Sequence, residues 1–116
     1  MKLFGVYETG NSLYMVLEYV DGMTLENYLK INQGKINYEQ RRLIMKMLIK
    51  ALGDLEKQGI LHRDLKPENV MISKDGKTLK LVDFGLATLT NLDYYIFVRC
   101  GTPGYVAPEI LRIRDD

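Results

Sequence analysis

The sequence predicts an α+β fold, and three observations carry that prediction. The chain opens on two runs rich in β-branched and aromatic residues, Leu3 to Tyr7 and Leu13 to Val20. Its middle holds an apolar stripe at helical spacing: Leu43/Ile44, Met47/Leu48, Ala51/Leu52 and Leu55. Further on, two short apolar runs, "VMIS" and "LKLV", flank the turn sequence "KDGKT". At 116 residues, 47% hydrophobic and 27% charged, the chain fits one soluble globular domain.

Taken in order, "ETGNS" between the first two runs reads as a hairpin turn, with Gly10 and Asn11 supplying positive φ. "DGMTLENYLKI" then changes period. Leu25, Tyr28 and Leu29 share a helical face, and Thr24 is the expected N-cap. "NQGKIN" is a loop. The longer helix begins near Asn37, with Gln40 three residues on as its capping-box partner, and stops at Gly59. Asp75-Gly76 marks a tight turn between two strands. From Leu86 onward no period emerges, and so long a loop in a compact domain is usually functional or disordered.

Charge and composition exclude several function classes. A net charge of +1 argues against a nucleic-acid surface and against a polybasic membrane patch. No unbroken apolar run is longer than Leu13 to Leu17, far short of the roughly 20 residues of a membrane span. The opening "MKLFGVYETG" carries no secretory-signal pattern. Cys100 is the single cysteine, so no internal disulfide forms, and a reducing, cytoplasmic setting is expected.

The stretch "HRDLKPEN", residues 62 to 69, asks for a different explanation. It lies between apolar residues, yet concentrates an imidazole, two cations, two carboxylates and an amide, more than a surface turn needs. The Asp75-Gly76 hairpin supplies a geometry. Asn69 comes just before its first strand and Asp83 just after its second, and in an antiparallel pair such ends meet, roughly 5 Å apart. An amide oxygen and a carboxylate then face one point. Hard oxygens of this kind suit Mg²⁺, which keeps waters and shares substrate phosphates. Asp64 is within reach of the same point, and Lys66 puts a cation beside it. A carboxylate base, a cation and a two-oxygen metal clamp are what in-line phosphoryl transfer asks of a protein.

"HRD" alone would be weak evidence. Joined to "LKPEN", followed by "DFG" (Asp83, Phe84, Gly85) and then by "GTPGYVAPE" (Gly101 to Glu109), the chain resembles the eukaryotic protein kinases of serine/threonine type. "LYMVLEYVDGMTL" resembles the hinge between the two kinase lobes, and "CGTPGYVAPEIL" looks most like the CaMK-like group. The resemblance runs from Leu3 to about Arg112. It implies a partial protein-kinase-like fold, with residues 1–17 ending the small lobe, 18–23 forming the hinge and 24–116 starting the large lobe.

By this resemblance Asp64 would accept the proton of a substrate hydroxyl, and Lys66 would hold the γ-phosphate of ATP. Asn69 and Asp83 would hold Mg²⁺. Adenine would meet the Glu18 carbonyl and the Val20 amide and carbonyl along Glu18-Tyr19-Val20, so side-chain identity there should matter little. Leu17 would sit at the back of the adenine pocket and Met71 beneath the purine. Thr24 stands where many members carry a ribose-binding acid, which would weaken that contact or move it to the Thr24 hydroxyl. Gly101, Thr102 and Pro103 would shape the substrate platform, with Thr102 bonded to Asp64 and Lys66. Arg63 would tie the catalytic loop to the activation segment, His62 would pack behind Phe84 rather than act as a base, and Glu109 would be structural.

The resemblance also sets expectations about activity and regulation. No Gly-rich loop or "VAIK"-like Lys precedes the first run, and the chain stops soon after "APEIL", so residues 1–116 alone are expected to be inactive and to need the remainder of a kinase domain. Protein substrates bearing Ser or Thr, and ATP, are the expected partners, with no nucleic acid and no membrane. A truncated core serving as a binding or regulatory module is the alternative. A small-molecule phosphotransferase would share the catalytic and metal Asp but not the peptide platform. The usual activating phosphosite, nine residues before Ala107, is Val98, which has no hydroxyl. The activation segment is therefore expected to be held without phosphate, by apolar packing of Ile96, Phe97 and Val98 and a charge contact from Arg99. Cys100 is expected to be an inert packed thiol.

Overall fold

The computed structural model describes residues 1–92, 94–95 and 97–113. Strands β1 (Leu3–Thr9) and β2 (Ser12–Leu17) form an antiparallel hairpin. The turn is shorter than the sequence implied: Thr9 pairs with Ser12, leaving only Gly10 and Asn11 at the corner. Neither has positive φ, contrary to expectation; the Thr9 hydroxyl donates to the Ser12 carbonyl (3.3 Å) across the corner. β2 also ends at Leu17, before Val20.

A second sheet has the order β3-β5-β6, all antiparallel: β3 (Gly22–Thr24), β5 (Val70–Ser73) and β6 (Leu79–Leu81). β3 was not foreseen. Gly22 pairs with Ser73, and a Cβ there would lie 2.2 Å from the Ile72 carbonyl oxygen, so only glycine allows the approach. The β5–β6 turn follows its chemistry. Asp75 accepts from the Ser73 hydroxyl (2.6 Å) and the Lys77 amide (3.1 Å), and Gly76 takes φ +69°.

Helix α1 (Leu25–Ile31) starts where expected, with the Thr24 hydroxyl oxygen accepting from the Asn27 amide (3.2 Å). It buries Leu25 and packs Tyr28 against the core, but Leu29 is exposed, because so short a helix turns one edge to the sheet. Helix α2 (Tyr38–Lys57) has the capping box in full: the Asn37 side chain accepts from the Gln40 amide (2.9 Å) and the Gln40 side chain from the Asn37 amide (3.0 Å). Gly59 follows its end at φ +65°. Ile44 is buried and Met47, Leu48, Ala51, Leu52 and Leu55 pack beside it, whereas Leu43 points to solvent. The core is thus Leu25, Ile44, Val70, Ile72 and Leu81, with α1 and α2 laid against β5 and β6.

The tail is more ordered than its lack of period implied. β7 (Thr88–Leu89) pairs antiparallel with β4 (Ile60–Leu61), and α3 (Pro108–Leu111) follows the "GTPGY" turn. Among the described residues no helix is long and apolar enough to cross a membrane.

Candidate active site

The open end of the β5–β6 hairpin gathers the polar stretch. Pro67–Asn69 forms a 3₁₀ turn leading into β5, and the Val82 amide donates to the Asn69 carbonyl (3.0 Å), so Asp83 directly follows a residue bonded to Asn69. Asn69 is only 5% exposed. Its amide nitrogen donates to the Asp64 carbonyl (2.8 Å) and to Asp64 Oδ2 (3.0 Å). Both N–H groups are spent on Asp64, and what Asn69 retains for a cation is its oxygen.

Asp64 is held from two further sides. Its Oδ1 accepts from the Thr102 amide (3.0 Å) and the Thr102 hydroxyl (2.6 Å). Lys66 Nζ lies 3.2 Å from Asp64 Oδ2 and donates to Thr102 Oγ1 (2.7 Å). The Thr102 hydroxyl thus donates to the carboxylate while accepting from the ammonium. The Thr102 hydrogen bond, aided by Lys66 and Asn69 against an opposing desolvation, holds the Asp64 carboxyl below the usual carboxylate range.

His62 is buried, and its two nitrogens are occupied. Nε2 donates to the Val82 carbonyl (3.0 Å) and Nδ1 accepts from the Asp64 amide (3.3 Å), a tautomer assigned from these partners. Its ring packs on Phe84, centroids 5.0 Å apart. That is the packing role expected of it, and it leaves no free nitrogen for base catalysis.

Asp83 is exposed, sits at φ +58° and accepts from the Gly85 amide (3.2 Å) through Oδ1. The donor set that Asn69 and Asp83 offer is one amide oxygen and one carboxylate, both hard. Among the described residues no group of three or more His, Cys, Asp or Glu side chains could hold a metal. Two protein oxygens fit an ion that takes the rest of its coordination from water and phosphate, as Mg²⁺ does, and do not fit an all-protein cage.

The stretch expected to form the hinge departs from expectation at Glu18. Its amide donates to the Lys2 carbonyl (2.8 Å). Its side chain was expected not to matter, yet it pairs with Lys80 on β6 and accepts from the Lys2 amide (3.0 Å). The Lys80 hydrogen bond, then that of the Lys2 amide, lowers the Glu18 carboxyl from its ordinary value. Leu17 lines a cavity of about 810 Å³ together with Leu3, Met15, Lys80, Leu81 and Phe84. Met71 is half-buried on β5. Thr24 Oγ1 is already accepting as the α1 cap, so a ribose could use only what the cap leaves of that hydroxyl.

The platform closes back on the catalytic loop. Gly101 takes φ +120°, and a Cβ there would lie 3.1 Å from the Arg63 carbonyl oxygen. Pro103 and Glu109 are exposed, and Glu109 has no ion pair among the described residues. The expected apolar packing of the activation segment is not found. Phe97 is 59% and Val98 48% exposed, Arg99 is exposed without an ion pair among the described residues, and Ile96 lies outside the described residues. Backbone carbonyls hold this segment instead. Arg63 Nε donates to the Leu86 carbonyl (2.6 Å) and Nη1 to the Phe97 carbonyl. Cys100 is half-buried and free.

A carboxylate and an ammonium in the loop before β5, an amide at the entry to that strand, an aspartate just after β6 and the Gly101–Thr102 segment bonded back onto the carboxylate fit a protein kinase core. The family model for the protein kinase domain matches residues 1–116, and the chain belongs to that family. It is 40% identical over 113 residues to maternal embryonic leucine zipper kinase of Xenopus tropicalis, covering 96% of this chain and 17% of that protein. It is 44% identical over 114 residues to probable serine/threonine-protein kinase 2 of Plasmodium falciparum, covering 97% and 22%. Probable serine/threonine-protein kinase HSL1 of Saccharomyces cerevisiae is 39% identical over 111 residues, covering 96% and 7%. The chain therefore spans less than a quarter of the length of these curated relatives.

Proposed function

We propose that residues 1–116 carry the catalytic core of a protein serine/threonine kinase, transferring the γ-phosphoryl group of ATP to Ser or Thr hydroxyls of protein substrates. The observation that carries this reading is the Thr102 hydroxyl, which donates to Asp64 while accepting from Lys66. A substrate hydroxyl brought beside it meets the same pair.

In this reading the substrate O–H points at Asp64. As its oxygen bonds to phosphorus and the bond from phosphorus to the bridging oxygen of ADP breaks, the proton passes to the Asp64 carboxylate. Lys66 faces the charge on the transferred group, and Asn69 keeps Asp64 aimed. The Asn69 and Asp83 oxygens would hold Mg²⁺, which when bound neutralises phosphate charge. The Glu18 carbonyl and the Val20 amide and carbonyl would take the adenine edge, between Leu17 and Met71. Residues 1–17 then belong to the small lobe, 18–23 to the hinge and 24–116 to the large lobe. The reading carries a cytoplasmic location, where ATP is supplied. The relatives' printed names support the choice of Ser/Thr acceptors.

The test is to incubate the full-length protein bearing this chain with Mg-ATP and peptides whose sole acceptor is Ser, Thr or Tyr. Phosphate on Ser or Thr is expected, and phosphate confined to Tyr or to a small molecule would overturn the reading. A second reading, a non-catalytic binding module, draws on the apolar β1–β2 hairpin, exposed on both faces. Turnover by the full-length protein that disappears with Asp83→Ala would dismiss it.

A further inference from the structure

Arg63 precedes the proposed base and sits at φ +64°, a left-handed conformation that a residue other than glycine keeps only when its surroundings enforce it. What enforces it comes from the activation segment. Two guanidinium donors go to the Leu86 and Phe97 carbonyls, and Gly101 closes on the Arg63 backbone from the far end of the segment. Carbonyls satisfy donors but leave most of the positive charge uncompensated. Among the described residues no carboxylate pairs with Arg63, and the usual phosphosite is Val98. Among the described residues the guanidinium also meets an aromatic face: the Arg63 guanidinium carbon lies 5.7 Å from the centroid of the Tyr95 ring. Its aromatic neighbours Tyr94 and Phe97 are exposed, whereas Tyr95 is drawn in to half-burial.

We infer that Tyr95 is a positioning residue whose ring face stands in for the activating phosphate, holding Arg63 and with it the catalytic loop closed without phosphorylation. This rests on the kinase reading above and deepens it. A cation over an aromatic ring is attracted by the ring's quadrupole, which the hydroxyl does not supply. Phenylalanine should therefore replace Tyr95, and leucine, of comparable bulk but without a π-face, should not.

The experiment uses the full-length protein, treated with a broad phosphatase and confirmed by mass spectrometry to carry no phosphate between residues 86 and 106. Tyr95→Phe should keep the wild-type kcat. Tyr95→Leu should lower kcat by on the order of tenfold, with the KM for Mg-ATP little changed. Leucine at the wild-type rate, or phenylalanine losing as much as leucine, overturns the inference. To separate ring–charge attraction from packing or misfolding, both substitutions are repeated on Arg63→Gln. If the ring acts through the charge, Tyr95→Leu costs nothing further there; an equal cost in both backgrounds overturns the inference. Limited proteolysis within residues 86–101 gives a readout independent of turnover. Cleavage should quicken in Tyr95→Leu and not in Tyr95→Phe, and equal cleavage in all three proteins overturns the inference. A wild-type protein that phosphorylates no Ser/Thr peptide yet shows this proteolysis pattern would sink the kinase reading alone.

Discussion

The β1–β2 and β5–β6 hairpins are both antiparallel, both apolar and both closed by short turns, yet Phe4 is 66% exposed and Ile72 is 0%. In the first, every strand residue but Gly5 faces solvent. In the second, α1 and α2 cover one face and β3 pairs along the edge. Local sequence makes a hairpin; what is delivered onto it decides whether it becomes a rigid support. The polar groups proposed to do chemistry gather at the open end of the buried hairpin, where Asn69 and Asp64 are fixed by hydrogen bonds on several sides. Glu18, just past the end of the exposed hairpin, reaches across to Lys80 on the buried one.

The largest expected effect breaks the comparison at its core. Ile72→Ala should destabilise the chain by about 2–5 kcal/mol in urea unfolding, through lost burial and the cavity left behind. Val6→Ala on the exposed hairpin should stay within about 0.5 kcal/mol. Equal costs would mean that the two hairpins do not differ as described.

A smaller effect sharpens the electrostatics at the mouth of the buried hairpin. The Thr102 hydroxyl is the main cause holding the Asp64 carboxyl low. A lowered value keeps the basic form present further into acid, so the acid limb of the kcat/KM profile should fall below the ordinary carboxylate range. Thr102→Ala should move that limb to higher pH. A limb that stays in place would remove Thr102 as the cause.

The smallest effect cuts the link between the hairpins. The Glu18 carboxyl is lowered chiefly by Lys80. A group lowered on folding stabilises above its unfolded value, and that contribution is lost as pH falls through the folded one. Melting temperatures of wild type and Glu18→Gln should therefore differ slightly at neutral pH and converge in acid. A difference that persists in acid would mean that the glutamate acts other than through its charge.

Much of this was legible because its causes are local. The Asn37–Gln40 capping box, the Thr24 cap and the Asp75-Gly76 turn each depend on residues a few positions apart. That Asp83 follows a residue bonded to Asn69 needed only one hairpin's register, and the partners of Thr102 followed from motif resemblance. What was missed depends on distant partners. β3 exists because Gly22 lets Ile72 approach, and β4 and β7 are two residues each, too short to leave a period. The Glu18 side chain matters because Lys80 stands 62 residues on, and the activation segment is held by carbonyls, which no side-chain pattern encodes. Exposure was the other blind spot. An apolar run such as Leu13 to Leu17 looks the same whether or not anything covers it.

Asp64 is the group on which the proposed chemistry turns. Its most direct test is the single-turnover rate of phosphoryl transfer from Mg-ATP to a Ser/Thr peptide by full-length protein carrying Asp64→Asn, measured beside its Mg-nucleotide affinity. With Asp64 as the base, the rate falls by on the order of 10²–10⁴ while affinity stays nearly intact; transfer at the wild-type rate would contradict that role.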